Sequence, residues 1–172
     1  MKAKDLREEV ERAKKVIKER DVPLHSLVLA SMLASLNELG ILNQGTVGVL
    51  AKSFTPKVLA YLELKGVVSE GRGARENLEA IFKEFGFKDG EFEIEETGEG
   101  IRISVVTNKC KICPKGVGGA ELEGAACPVP YMVSTALSVL TGEEWRPELR
   151  KAGNKVSPVV KSSGRCEIVV KR

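Results

Sequence analysis

The chain's chemistry starts with its four cysteines. Cys110 and Cys113 form a Cys-x-x-Cys pair, thirteen residues separate Cys113 from Cys127, and Cys166 lies close to the end of the 172-residue chain. A Cys-x-x-Cys turn sets two sulfurs on one side of an ion, and Zn²⁺ takes four thiolates tetrahedrally. The expected metal ligands are therefore Cys110, Cys113, Cys127 and Cys166, around a zinc ion with no position left for substrate. Such a site is structural. Pro114 and Pro128 follow two of these cysteines and stiffen the chain beside them. An iron–sulfur cluster is the alternative cofactor, although its usual cysteine spacings differ. A redox Cys-x-x-Cys would need no third or fourth cysteine. Metal-free packing of buried thiols is the plainest alternative.

Compartment bears on this choice. The first residues, Met1 to Glu9, form no apolar leader, and the longest apolar run, Leu24 to Leu36, is interrupted by Ser and His. That run falls short of the roughly 18 residues a membrane span requires. The expectation is a cytoplasmic protein without a membrane span. Thiols stay reduced there, which favours metal or redox chemistry over disulfides.

Other groups offer less. His25 is the one histidine, and no orienting partner for a catalytic base is legible beside it. No catalytic residue is assigned. Lys115–Gly119 has the glycines of a phosphate loop without its Gly-Lys-Ser/Thr ending. Glu121 and Glu123 read as solvated loop carboxylates, although either could serve as a metal ligand. Phe54, Tyr61, Phe82, Phe85, Met132 and Trp145 could line an apolar cavity or simply fill a core. The net charge is +3 and Lys and Glu are interspersed, so no basic stripe points to nucleic acid. A single glutamine among abundant Lys and Glu leans toward a thermophilic source.

The elements that must position the cysteines follow from periodicity. Residues 3–20 carry Leu6, Val10, Ala13, Val16 and Ile17 on one face, as an amphipathic helix that docks on another helix. Asp21-Val22-Pro23 breaks it. A second helix ends near Leu39-Gly40, and its apolar residues, spread nearly all round, predict burial. A third helical region runs from Gly45 past Leu62, with a break or kink expected near Phe54-Thr55 ahead of Pro56. A fourth covers Ala74 to Phe85. The period then changes: Phe92 and Ile94, then Ile101, Ile103 and Val105, alternate with polar residues as an antiparallel hairpin. The cysteine loop follows, with Gly116, Gly118, Gly119 and Gly124 opposing regular structure. A fifth helix runs from Pro128 to Gly142, and Val156–Val160 with Cys166–Val170 reads as a final hairpin. Helices and strands in separate blocks predict an α+β fold: a helical N-terminal half on a small antiparallel sheet of about four strands. The organisation expected is one domain over 1–172, with 1–40 as a dimerisation element and 41–172 as the small-molecule-binding part.

Taken together, the Gly45–Leu64 helical stretch, the Phe92–Val105 hairpin, the cysteines before the last helix and Gly164-Arg165-Cys166-Glu167-Ile168 resemble the 4-vinyl reductase domain family, over roughly residues 40–172. That resemblance implies zinc at the four cysteines beside a hydrophobic pocket between helices and sheet, a homodimer, and a sensory role for aromatic or hydrocarbon ligands. No flavin or nicotinamide fingerprint accompanies it. The function expected is a zinc-containing protein that binds a small apolar ligand, as a sensor or carrier. The alternatives are an enzyme of the vinyl reductase type acting in the apolar pocket and a ligand-free protein-interaction module.

Overall fold

Helical periodicity governs the first half of the chain and strand alternation most of the second, and the computed structural model, which describes residues 3–122, 126–152 and 155–172, is built accordingly. The fold is α+β. Four helices come first: α1 (Ala3–Arg20), α2 (Leu24–Glu38), α3 (Gln44–Leu64) and α4 (Ala74–Glu84). The hairpin of β1 (Phe92–Thr97) and β2 (Gly100–Val106) follows, then the cysteine loop and α5 (Val129–Thr141). Five short strands close the chain: β3 (Arg146–Pro147), β4 (Arg150–Ala152), β5 (Lys155–Ser157), β6 (Val160–Ser162) and β7 (Arg165–Lys171). Among the described residues, no helix is long and apolar enough to cross a membrane.

The main sheet is antiparallel and has five strands, one more than expected. β7 pairs with β2 along one edge, while its other edge is shared by β6 at its start and β3 at its end. β4 and β5 form a separate ribbon. Register places Ile103 opposite Ile168, Ile101 opposite Val170 and Val105 opposite Cys166. These pairs share one face because side chains alternate along a strand. With Phe92 and Ile94 that face meets α4 and α5, whose Leu78, Ile81, Met132, Val133 and Leu137 complete the core.

Two expectations about the helices fail, each for a physical reason. α3 runs unbroken through Pro56. Proline deprives the carbonyl four residues back of its donor, and that carbonyl belongs to exposed Lys52, where water can serve it. Thr55, just before the proline, turns its hydroxyl inward to donate to the Ala51 carbonyl at 2.6 Å. The start of α3 is fixed by a reciprocal cap: Asn43 accepts from the Thr46 backbone N–H, and the Thr46 hydroxyl accepts from the Asn43 N–H. The second failure is α2, which is not a buried helix. Ser26, Ala30, Leu33 and Ala34 are buried, whereas Leu24, Val28 and Met32 stand in solvent.

α5 ends as its sequence predicts. Gly142 adopts a left-handed φ of 70° and donates to the Ser138 carbonyl. The chain then turns so that Trp145 is buried, its indole N–H donating to Thr141 at 3.0 Å.

Candidate metal centre

The cysteine loop starts where β2 ends. Beyond Val106, Thr107 donates its N–H to the Gly164 carbonyl at 2.9 Å, and a single 3-10 turn, Thr107–Lys109, delivers Cys110. Cys166 is the second residue of β7, on the neighbouring strand at the same end of the sheet, and its sulfur lies 3.5 Å from the Thr107 hydroxyl. Cys127 precedes α5. Gln44, the first residue of α3, holds it from both sides: the Gln44 amide donates to the Cys127 carbonyl at 3.3 Å and accepts its N–H at 3.4 Å. Cys113 opens a tight turn in which its carbonyl accepts from Val117 and Gly118 and its sulfur accepts the Gly116 N–H at 3.2 Å. A β-strand, a hairpin exit, a helix start and a loop therefore bring their cysteines to one place.

All four cysteines line one cavity of about 50 Å³, together with Val105, Thr107, Lys115 and Lys161. About 10–15 Å³ admits one water, so an ion or a few waters fit and an organic ligand does not. The thiols also perturb one another. Cys110 donates to Cys113, which, with the backbone N–H groups of Gly116 and Lys115, lowers the Cys113 pKa to about 6. The same hydrogen bond, followed by burial, pushes the Cys110 thiol well up. Burial first, then the Cys113 thiolate, raises Cys127. Among the described residues, however, no three Cys, His, Asp or Glu side chains stand in an arrangement that already encloses an ion. The cysteines share a cavity without being drawn to a common point.

The cations around the loop are the feature that sequence reasoning missed. Lys111, between the first two cysteines, is wholly buried; its ammonium meets the Glu91 carboxylate at 3.0 Å and donates to the Arg20 carbonyl. Lys109 donates to the Glu19 carbonyl at 3.2 Å. Both neutralise the carbonyl-rich end of α1, where positive charge is favourable. In return the Arg20 guanidinium donates to the Thr107 and Cys110 carbonyls at 3.2 and 3.3 Å. The loop and the end of α1 are thus one unit.

A close approach completes the loop. A Cβ on Gly118 would stand 2.2 Å from the Ala30 carbonyl oxygen and 2.7 Å from that of Pro114. Both are backbone atoms that cannot swing away. Gly118→Ala is expected to destabilise by about 2 kcal/mol, as overpacking does, read as a lower denaturation midpoint at unchanged slope.

Of the other sequence candidates, His25 is exposed rather than part of the core, with its ring centroid 5.7 Å from that of Phe85 in an edge-on arrangement. Glu121 is exposed, and Glu123 and Gly124 lie outside the described residues. The aromatic set splits three ways. Phe82, Phe85 and Met132 border a core cavity of about 20 Å³ between helices and sheet. Phe54, Tyr61 and Phe85 line an open groove of about 510 Å³ between α2, α3 and α4. Trp145 belongs to neither: it lies in a separate depression with Arg172 stacked 5.0 Å from its ring.

Comparison with known proteins corrects the family expectation. The sequence pattern of the MJ0207 family matches residues 40–172, well over half of the chain. The chain belongs to the MJ0207 family. The resemblance to the 4-vinyl reductase domain family is therefore withdrawn: a hairpin, a cysteine set and a following helix, in that order, were not specific enough to separate two families. The MJ0207 match begins at Gly40, beyond α2, and contains all four cysteines. A protein of Methanocaldococcus jannaschii described as "Uncharacterized protein MJ1342" is 37% identical over 81 residues, covering 47% of this chain. The aligned part is 65% of that protein, short of two thirds of its length. Neither description names a reaction or a ligand. No solved structure matches.

Proposed function

We propose that this MJ0207-family chain is a zinc-clasped domain that binds a small apolar molecule, as a cytoplasmic sensor or carrier. The observation that carries the zinc reading is the convergence of all four cysteines on one cavity of about 50 Å³. Zinc with four thiolates carries a net charge of −2, and Lys115 and Lys161 border the same cavity as two compensating cations. The metal would hold the β2 exit, the cysteine loop, the α5 start and β7 together. It offers no open position, so its contribution is folding free energy.

The apolar molecule is assigned to the groove between α2, α3 and α4. The core cavity of about 20 Å³ takes little more than one water, and an organic ligand there would have to spread the helices. The groove of about 510 Å³ falls within the usual size of ligand sites. Leu29, Phe54, Val58 and Phe85 supply its apolar wall, and His25, Lys57 and Glu84 its polar rim. That combination suits a small molecule with an apolar body and one polar end.

A polarity-sensitive fluorescent probe such as anilinonaphthalene sulfonate tests the groove directly. Saturable fluorescence enhancement in the native protein, lost in Phe54→Glu at unchanged thermal midpoint, is the expected result. No enhancement, or enhancement indifferent to that substitution, would remove the ligand reading and leave the zinc reading standing.

A further inference from the structure

α1 is an amphipathic helix whose apolar face its own chain covers only in part. It spans 18 residues, about 27 Å at the usual helical rise. From Arg7 onward none of its side chains is fully buried: Val10 is 44% exposed, and Ala13 and Ile17 are half-buried. Its C-terminal end is anchored by Lys109, Lys111 and Arg20, which tie it to the cysteine loop.

The sequence of α1 says what covers it. Ala3, Leu6, Val10, Ala13, Ile17 and Arg20 recur at alternating steps of three and four, the a and d seam of a coiled coil. In that frame the β-branched residues Val10 and Ile17 occupy a, while d holds Leu6, Ala13 and Arg20, the last turned to the cysteine loop of its own chain. The β-branched a positions favour two parallel strands. The flanks agree. Parallel pairing sets Glu9, at g, against Lys14 of the second copy, at e, whereas antiparallel pairing would face Arg7 with Lys14. Among the described residues these two groups pair within one chain with exposed neighbours, Arg12 at 3.6 Å from Glu9 and Glu11 at 2.8 Å from Lys14. Exposed pairs of that kind cost little to exchange.

Roughly two and a half heptads make a short seam, and short helices need tertiary support. α2 can supply it. Val22 to Asn37 contains no Asp, Glu, Lys or Arg, and Leu24, Val28 and Met32 project into solvent at helical spacing immediately after α1. An uncharged patch is self-complementary under a two-fold axis, as an isologous contact requires.

We infer that the occupant is a second copy of this chain: two α1 helices pair in parallel through Val10, Ala13 and Ile17, and the exposed face of α2 extends the contact. This assigns the N-terminal helices a surface and an orientation, and it rests on neither the zinc nor the ligand reading. Sedimentation equilibrium of the full chain tests it. The native protein is expected at twice the 18.7 kDa chain mass. Val10→Asp should weaken the dimer at least about a hundredfold, as a charge in a coiled-coil seam does, with an unchanged helical signal and metal content. Glu9→Lys alone should weaken it about tenfold, and adding Lys14→Glu should restore it, through pairs present twice in the dimer. A native monomer at all concentrations, or a dimer indifferent to Val10→Asp, overturns the proposal. A double charge exchange that weakens the dimer as much as the single one overturns the parallel orientation.

Discussion

Cys166→Ala is expected to yield protein with well under one zinc per chain, melting about 10 °C below the native form. Four thiolates on one ion join the β2 exit, the loop, the α5 start and β7, and structural zinc binding is folding free energy. A loss of about 4 kcal/mol corresponds to ~10 °C for a chain of this size. Cys166 is the informative choice because it is only partly buried and its sulfur meets one hydroxyl, Thr107, at 3.5 Å. Its packing loss alone is small. Thermal denaturation with and without a strong chelator separates the two contributions. The chelator should lower the native midpoint to near that of Cys166→Ala and leave the variant almost unmoved. Equal chelator shifts in both proteins would mean that Cys166 holds no metal.

A second large effect is expected at Lys111. Lys111→Met keeps the length of the side chain but removes the ammonium, leaving the Glu91 carboxylate, only 14% exposed, without its 3.0 Å partner. Removing one member of a buried pair costs about 3–5 kcal/mol, because the other charge stays behind. The Arg20 carbonyl loses its donor too, which removes one of the ties between the end of α1 and the cysteine loop. Urea denaturation should show the midpoint falling accordingly. Lys111→Met with Glu91→Leu should recover much of the loss, since two apolar groups need no partner. If the single variant were as stable as the native protein, the pair would not hold the loop.

The parts of this structure legible in the sequence are those fixed by local pattern. The strands Phe92–Thr97 and Gly100–Val106 alternate cleanly because one face is buried and the other wet. Gly142 stops α5 because a left-handed residue is needed there. Pattern failed where the outcome depends on what lies opposite. α2 reads as buried because it is apolar all round, yet half of its circumference has no partner within the chain. β3 and β4 escaped notice because Arg146-Pro147 and Arg150-Lys151-Ala152 lack alternation, and pairing is their only strand character. The cysteines were legible by type and spacing, and the structure brings them to one cavity. The lysine between them was not. Lys111 reads as a solvated side chain, and its burial depends on Glu91 and Arg20, 20 and 91 residues away.

The family likeness read around the same cysteines is overturned by the MJ0207 match, and the metal reading does not depend on it. Cys110, Cys113, Cys127 and Cys166 specify a donor set with a physical preference, whatever family the hairpin, loop and helix around them belong to. The metal reading therefore stands on the residues alone.

Elemental analysis of the protein purified without added metal, paired with thiol titration under native conditions, tests that reading most directly. The account predicts about one zinc per chain, colourless protein, and four thiols that become titratable only after chelation. Less than about half an equivalent of zinc, with all four thiols freely titratable in the native state, would contradict it, and visible absorbance from iron and sulfide would replace zinc with a cluster.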